Sequence, residues 1–145
     1  MTTVNWRDAI IWCNAASQKG GLTPVYYTDA GLTAVLKVST NTASVNATAG
    51  SEDNPFVNWS ANGYRLPTEA EWEYIARYID GTTFMRGDAP SGWQDNNTAN
   101  GLVDALENDA VAWWNNAPAS TSLVGTKAGN ALGLFDMSGN VWEWT

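Results

Sequence analysis

The chain has 145 residues, 7 of them basic and 15 acidic, with a net charge of −8 and no histidine. That balance leaves nucleic acid no electrostatic footprint, and the missing imidazole removes the commonest general base, the Ser-His and Cys-His couples and imidazole-liganded zinc. A single cysteine, Cys13, excludes an internal disulfide and any cysteine cluster. The length suits one domain, residues 1–145, able to bury roughly two-thirds of its unfolded surface. Nine tryptophans, scattered along the chain, read as core and packing residues. No apolar run could span a bilayer, and Met1-Thr2-Thr3-Val4 lacks the basic and apolar regions of a signal peptide. A soluble globular protein is expected.

Val4 to Gly21 predicts a helix. Asn5 suits the N-cap, Asp8 falls three residues on in the first turn, and Gly20-Gly21 closes the far end. Ala9, Trp12, Cys13 and Ala16 form the expected apolar stripe, with Cys13 as a small buried hydrophobe. Leu22 to Asn62 is Thr-, Ala-, Asn- and Ser-rich. It holds two short strand candidates, Pro24 to Tyr27 and Ala34 to Val38, around Asp29-Ala30-Gly31. Ser39 to Glu52 is polar and aperiodic, and reads as a loop.

Tyr64 to Ile79 carries the clearest helix signal. Thr68 and Glu71 make a Ser/Thr-x-x-Glu capping box, Pro67 bars an earlier start, and Trp72, Ile75, Ala76 and Ile79 form an apolar stripe. Glu69 and Glu73 lie four apart on one face, where paired carboxylates could do acid–base work or simply stay solvated and complement the helix dipole. Gly81 to Lys127 is Gly-, Asn-, Asp- and Ala-rich and is expected to be irregular, anchored by Trp93, Trp113 and Trp114.

The last stretch, Gly133 to Thr145, combines a turn with a tryptophan pair. Asp136-Met137-Ser138-Gly139 suits a type I turn, and Val141-Trp142-Glu143-Trp144 alternates in the two-residue period of a strand. Two readings stay open on the residues alone. Exposed carbonyls flanked by two carboxylates could seat a hard cation such as Ca²⁺, or the segment could be an ordinary turn feeding a core strand.

Two long motifs in order carry a resemblance: Gly63-Tyr64-Arg65-Leu66-Pro67-Thr68-Glu69-Ala70-Glu71-Trp72-Glu73-Tyr74, then Asn130-Ala131-Leu132-Gly133-Leu134-Phe135-Asp136-Met137-Ser138-Gly139-Asn140-Val141-Trp142-Glu143-Trp144. With Val4-Asn5-Trp6-Arg7-Asp8-Ala9 before them, the chain resembles the formylglycine-generating enzyme (sulfatase-modifying factor) family from about Val4 to Thr145. The resemblance implies an α+β fold related to C-type lectins, with two helices packed on irregular antiparallel strands and much loop. It also implies a structural Ca²⁺ site with Asp136 and Glu143 side chains and Gly139 and Val141 carbonyls as ligands, and a second near Asn100 and Gly101.

Departures qualify the activity. The family's Arg-Gly-Gly-Ser-Trp motif and the copper-binding cysteine pair of its true enzymes lie beyond the Trp-Glu-Trp strand, and residues 1–145 hold neither. Cys13 matches a helix position outside the active site. The resemblance therefore implies the central part of such a domain, without catalytic residues or copper of its own, in a binding or structural role towards a protein or peptide ligand. The alternative is part of a copper-dependent oxidase that converts a sulfatase cysteine to formylglycine, with its catalytic cysteines outside these residues. Ligand identity, compartment and oligomeric state do not follow from the sequence.

Overall fold

Asn5 starts the first helix as expected. In the computed structural model, which describes residues 4–40, 42–94, 105–114 and 121–145, its side chain accepts the Asp8 N–H at 2.8 Å, and Asp8 returns a bond to the Asn5 N–H. Helix α1 (Trp6–Lys19) ends on Gly20, with Gly21 at φ +70°. Two further helices, α2 (Glu69–Arg77) and α3 (Ala105–Val111), and one antiparallel ribbon, β1 (Tyr26–Tyr27) with β2 (Phe56–Val57), complete the regular structure of the described residues. The architecture is α+β with extensive loop. Two compact units divide the chain, one of residues up to Leu66 with Trp144, the other of Pro67–Glu143 with Thr145.

In the first unit, Cys13 is buried as expected, but the rest of the buried face of α1 differs from the expected stripe. Ile10, Cys13, Asn14 and Ser17 are the buried side, at three- and four-residue steps, while Trp12 is 67% exposed. Two members of that face are polar, which hid it from an apolar count. Each is satisfied internally: Asn14 makes four bonds to backbone, and Ser17 Oγ donates to Cys13 O and accepts the Tyr64 N–H. Ile10, Cys13, Val25, Tyr26 and Leu36 form the core around it. The expected strand Pro24 to Tyr27 shortens to β1, and Ala34 to Val38 contributes only a bridge at Val35 and the bond from Leu36 N to Tyr26 O. Phe56 and Val57 of β2 stand in for it, and sequence period did not mark so short a strand.

The polar loop after Val38 is held by Arg7. Its guanidinium forks onto Asp53 (2.5 and 2.8 Å) and donates to the carbonyls of Thr40, Thr42 and Ser44 at 2.8–3.0 Å. The Asp53 carboxyl is held below the ordinary carboxylate range, first by its hydrogen bond from Arg7 and then by the Asn46 N–H. A charged side chain thus organises a segment whose apolar residues, Ala43, Val45, Ala47 and Ala49, stay exposed.

In the second unit, Thr68 caps α2 and the box with Glu71 is formed in both directions. The helix is shorter than Tyr64 to Ile79: the proline ring of Pro67 disfavours helical geometry at the residue before it, and Tyr78 turns extended as the C-cap. Asn130, 7% exposed, fixes the far turn to α2. Its Nδ2 donates to Ile75 O and Ser91 Oγ, and its Oδ1 accepts the N–H groups of Leu132 and Leu134. Helix α3 was hidden inside the stretch expected to be irregular.

The tryptophans do not all pack inward. Trp12 and Trp59 are each 67% exposed and Trp142 is fully exposed, whereas Trp72 and Trp113 are half-buried with their indole N–H groups engaged. Among the described residues, no helix is long and apolar enough to cross a membrane.

Candidate functional site

Three left-handed residues within five shape residues 136–140: Asp136 (φ 59°), Gly139 (φ 94°) and Asn140 (φ 66°). Asp, Gly and Asn are the residue types that tolerate this region best, so the local sequence admits a geometry most side chains would resist. The segment is neither the expected type I turn nor a feed into a strand. Val141 N donates to Gly139 O at 2.9 Å, an i→i+2 reversal around Asn140, and residues 141–144 form no ladder. The physical reason lies outside the segment, in groups that claim its bonds one by one.

Trp113 is the main holder. Its backbone N–H donates to Ser138 O at 3.1 Å, its indole Nε1 donates to Asp136 Oδ1 at 3.1 Å, and its backbone bridges Gly139 in parallel sense. A Cβ on Gly139 would lie 2.1 Å from the Trp113 carbonyl oxygen, so glycine is required there on space as well as on φ. Gly125 N donates to Asp136 Oδ2 at 2.8 Å, Ser91 N to Ser138 Oγ at 3.0 Å, and Ser122 N to Asn140 Oδ1 at 2.8 Å. At the other end, Trp72 Nε1 of α2 donates to Glu143 Oε2 at 2.5 Å. Sequence reading did not identify Trp72, Trp113 or Gly125 as supports. The available signal was general: a half-buried indole N–H needs an acceptor.

A cavity of about 530 Å³ opens on this segment, lined by residues 136–143 with Glu69, Trp72 and Thr145. All four expected ligand residues, Asp136, Gly139, Val141 and Glu143, line it. Three carboxylates and no lysine or arginine face the space. Glu69 and Glu73 do not act as a pair: Glu69 lines the cavity, whereas Glu73 forms an i,i+4 ion pair with Arg77 at 3.0 Å.

The donor set can be tested against Ca²⁺. All four ligand groups offer oxygen, the chemistry a hard cation takes, and each carboxylate oxygen bonded to an N–H keeps a further lone pair. Four protein positions leave two to four for water in a six- to eight-fold shell. Among the described residues no group of three or more His, Cys, Asp or Glu side chains converges as a metal site, so a cation here depends on main-chain carbonyls as well as carboxylates. In residue type the set suits a hard cation, with all four positions on one cavity. The second expected site, near Asn100 and Gly101, lies outside the described residues.

Cys13 sits in the α1 core, 5% exposed, and burial pushes its thiol pKa up. A buried neutral thiol is neither a nucleophile nor a metal ligand.

Comparison with known proteins extends over the whole chain. The family described as "Sulfatase-modifying factor enzyme 1-like domain" matches residues 1–145. A "Chaperone protein LppX" of Paenibacillus barcinonensis is 36% identical across 97% of this chain and 49% of its own length. A "Formylglycine-generating enzyme" of Mycobacterium tuberculosis is 44% identical over 92 residues, 62% of this chain and 28% of its own. Among solved structures, "Treponema denticola variable protein 1" superposes with a TM-score of 0.73 and "Crystal Structure of CarF" with 0.69, each 34% identical over 99% of this chain and 47% of the other. The chain spans about half the length of these relatives, or less.

Proposed function

The chain belongs to the sulfatase-modifying factor enzyme 1-like domain family, and from that premise we propose that residues 1–145 act as a non-catalytic binding or structural domain ordered by Ca²⁺. The ligands are the side chains of Asp136 and Glu143 and the carbonyls of Gly139 and Val141. One observation carries the non-catalytic half: the chain has no histidine, and its only thiol is buried in the α1 core with a raised pKa. Soft Cu(I) requires thiolate, thioether or imidazole ligands, so these residues cannot build the two-thiolate copper centre of the oxidases. The full-span relative named a chaperone supports a protein or peptide as the ligand.

Strain supports the cation half. Two non-glycine residues in the left-handed region, each costing of order 1–3 kcal/mol, persist where neighbouring structure over-determines them, and they cluster at ligand sites. Carboxylates that line one cavity repel each other without a cation and gain from a divalent ion. At a hundred times its dissociation constant, Ca²⁺ adds about 2.7 kcal/mol to stability. The melting temperature therefore rises with Ca²⁺ and falls with chelator, and Glu143→Gln blunts the response while Glu73→Gln leaves it. A chelator-insensitive melt returns residues 136–143 to a purely structural reversal.

A second reading has the 44% identity to a formylglycine-generating enzyme in its favour: the chain as part of a copper-dependent oxidase whose catalytic cysteines lie outside residues 1–145. Copper, oxygen and a sulfatase-type cysteine peptide separate the two when the peptide is followed by mass spectrometry. Residues 1–145 alone leave it unchanged, and conversion that persists in Cys13→Ser overturns the ligand argument. A cysteine pair in the full reading frame favours the oxidase.

A further inference from the structure

We infer that the indole N–H groups of Trp72 and Trp113 are positioning groups for the two carboxylates of this cation site. The inference rests on the reading of residues 136–143 as a Ca²⁺ site, and it concerns what holds that site ready. An indole has one donor and no acceptor. Each of these two spends its donor on a carboxylate oxygen of the segment: Trp72 on Glu143 at 2.5 Å, and Trp113 on Asp136 at 3.1 Å. Neither bond is local, since 71 residues separate the first pair and 23 the second. Groups outside the first coordination sphere that hold a ligand by hydrogen bonds fix its orientation, and their loss typically weakens metal binding.

The neutrality of the donor decides why tryptophan suits the task. A lysine or arginine in the same place would neutralise the carboxylate and compete with a divalent cation for it. An indole orients the oxygen and leaves the charge intact. The surroundings follow that logic: no basic side chain lines the cavity. The cation nearest Trp113, Lys127, stacks its ammonium over the ring at 4.4 Å and gives its hydrogen bonds to Asp109. Trp113 adds a second constraint through its backbone, whose N–H takes Ser138 O and whose carbonyl packs against Gly139. One residue thus sets both the Asp136 carboxylate and the path of the chain towards Val141.

Trp72→Phe and Trp113→Phe delete the N–H and keep an aromatic ring. Ca²⁺ affinity is read by titration calorimetry, beside melts in chelator and in saturating Ca²⁺, with Trp59→Phe as control. Each variant is expected to bind Ca²⁺ about tenfold more weakly, with the melt in chelator unchanged and Trp59→Phe like the parent. Should Trp113→Phe not fold, Trp72→Phe decides alone. Parent affinity in the variants, or a lowered chelator melt at unchanged affinity, assigns the indoles a packing role only and overturns the inference while the Ca²⁺ reading stands. A parent that binds no Ca²⁺ overturns both.

Discussion

The side-chain amide of Asn14 takes both backbone groups of Tyr26: Nδ2 donates to Tyr26 O at 2.8 Å, and Tyr26 N donates to Oδ1 at 3.1 Å. The same amide also reaches Leu36 O and accepts the Val25 N–H, so all four of its bonding positions are filled at 1% exposure. One side chain joins α1 to β1 and to the segment beside it. Asn14→Ala orphans buried backbone groups, each worth about 1–3 kcal/mol, and should destabilise the protein by at least that much in a urea melt. Asn14→Asp is expected to fail similarly, because it keeps the acceptor and loses both donors.

Gly139→Ala tests the packing of residues 136–140 against Trp113. The added methyl would lie 2.1 Å from the Trp113 carbonyl oxygen at a φ of 94°. The left-handed backbone alone costs about 1–2 kcal/mol for a residue with a Cβ, and the clash adds to it. The expected result is a lower melting temperature together with loss of any Ca²⁺ response. Gly125→Ala, also at positive φ but with open space around it, should cost only the backbone part.

Helix α2 separates cap from core. Thr68→Ala removes the acceptor of the Glu71 N–H and should cost about 1 kcal/mol. Trp72 is only half-buried, so Trp72→Ala should cost less than the 3–5 kcal/mol, roughly, of a fully enclosed aromatic. A denaturant melt of the two variants ranks them directly.

Acid should loosen the exposed turn after α2. Asp80 accepts the N–H groups of Thr82 and Thr83 and the Thr82 hydroxyl, and these bonds lower its pKa to about 2. A depressed folded pKa contributes stability that is present above the unfolded value, about 4, and is lost as pH falls through the folded one. Asp53 and Asp29 are shifted in the same direction, Asp53 chiefly by Arg7 and Asp29 chiefly by the Ala34 N–H. Melting temperature should therefore fall between about pH 4 and pH 2, and Asp80→Asn should flatten part of that slope.

Local rules sufficed wherever the deciding groups were sequence neighbours. Asn5 with Asp8 and Thr68 with Glu71 are reciprocal bonds across three residues, and both capping boxes form as the residues predict. The family, and with it the α+β fold, was legible because two long motifs fall in order along the chain. What failed was everything decided by partners far away in sequence. The buried side of α1 includes Asn14, whose polarity is met by backbone 11 to 22 residues distant, and Ser17, which accepts an N–H 47 residues away. Trp142 alternates like a core strand residue yet faces solvent, because Trp113, Ser91, Ser122 and Gly125 claim the bonds of the preceding residues and turn the chain. The sequence by itself determined that carboxylates and residues tolerant of left-handed backbone fall together within 136–143; only the tertiary structure decided that two indoles would bond those carboxylates.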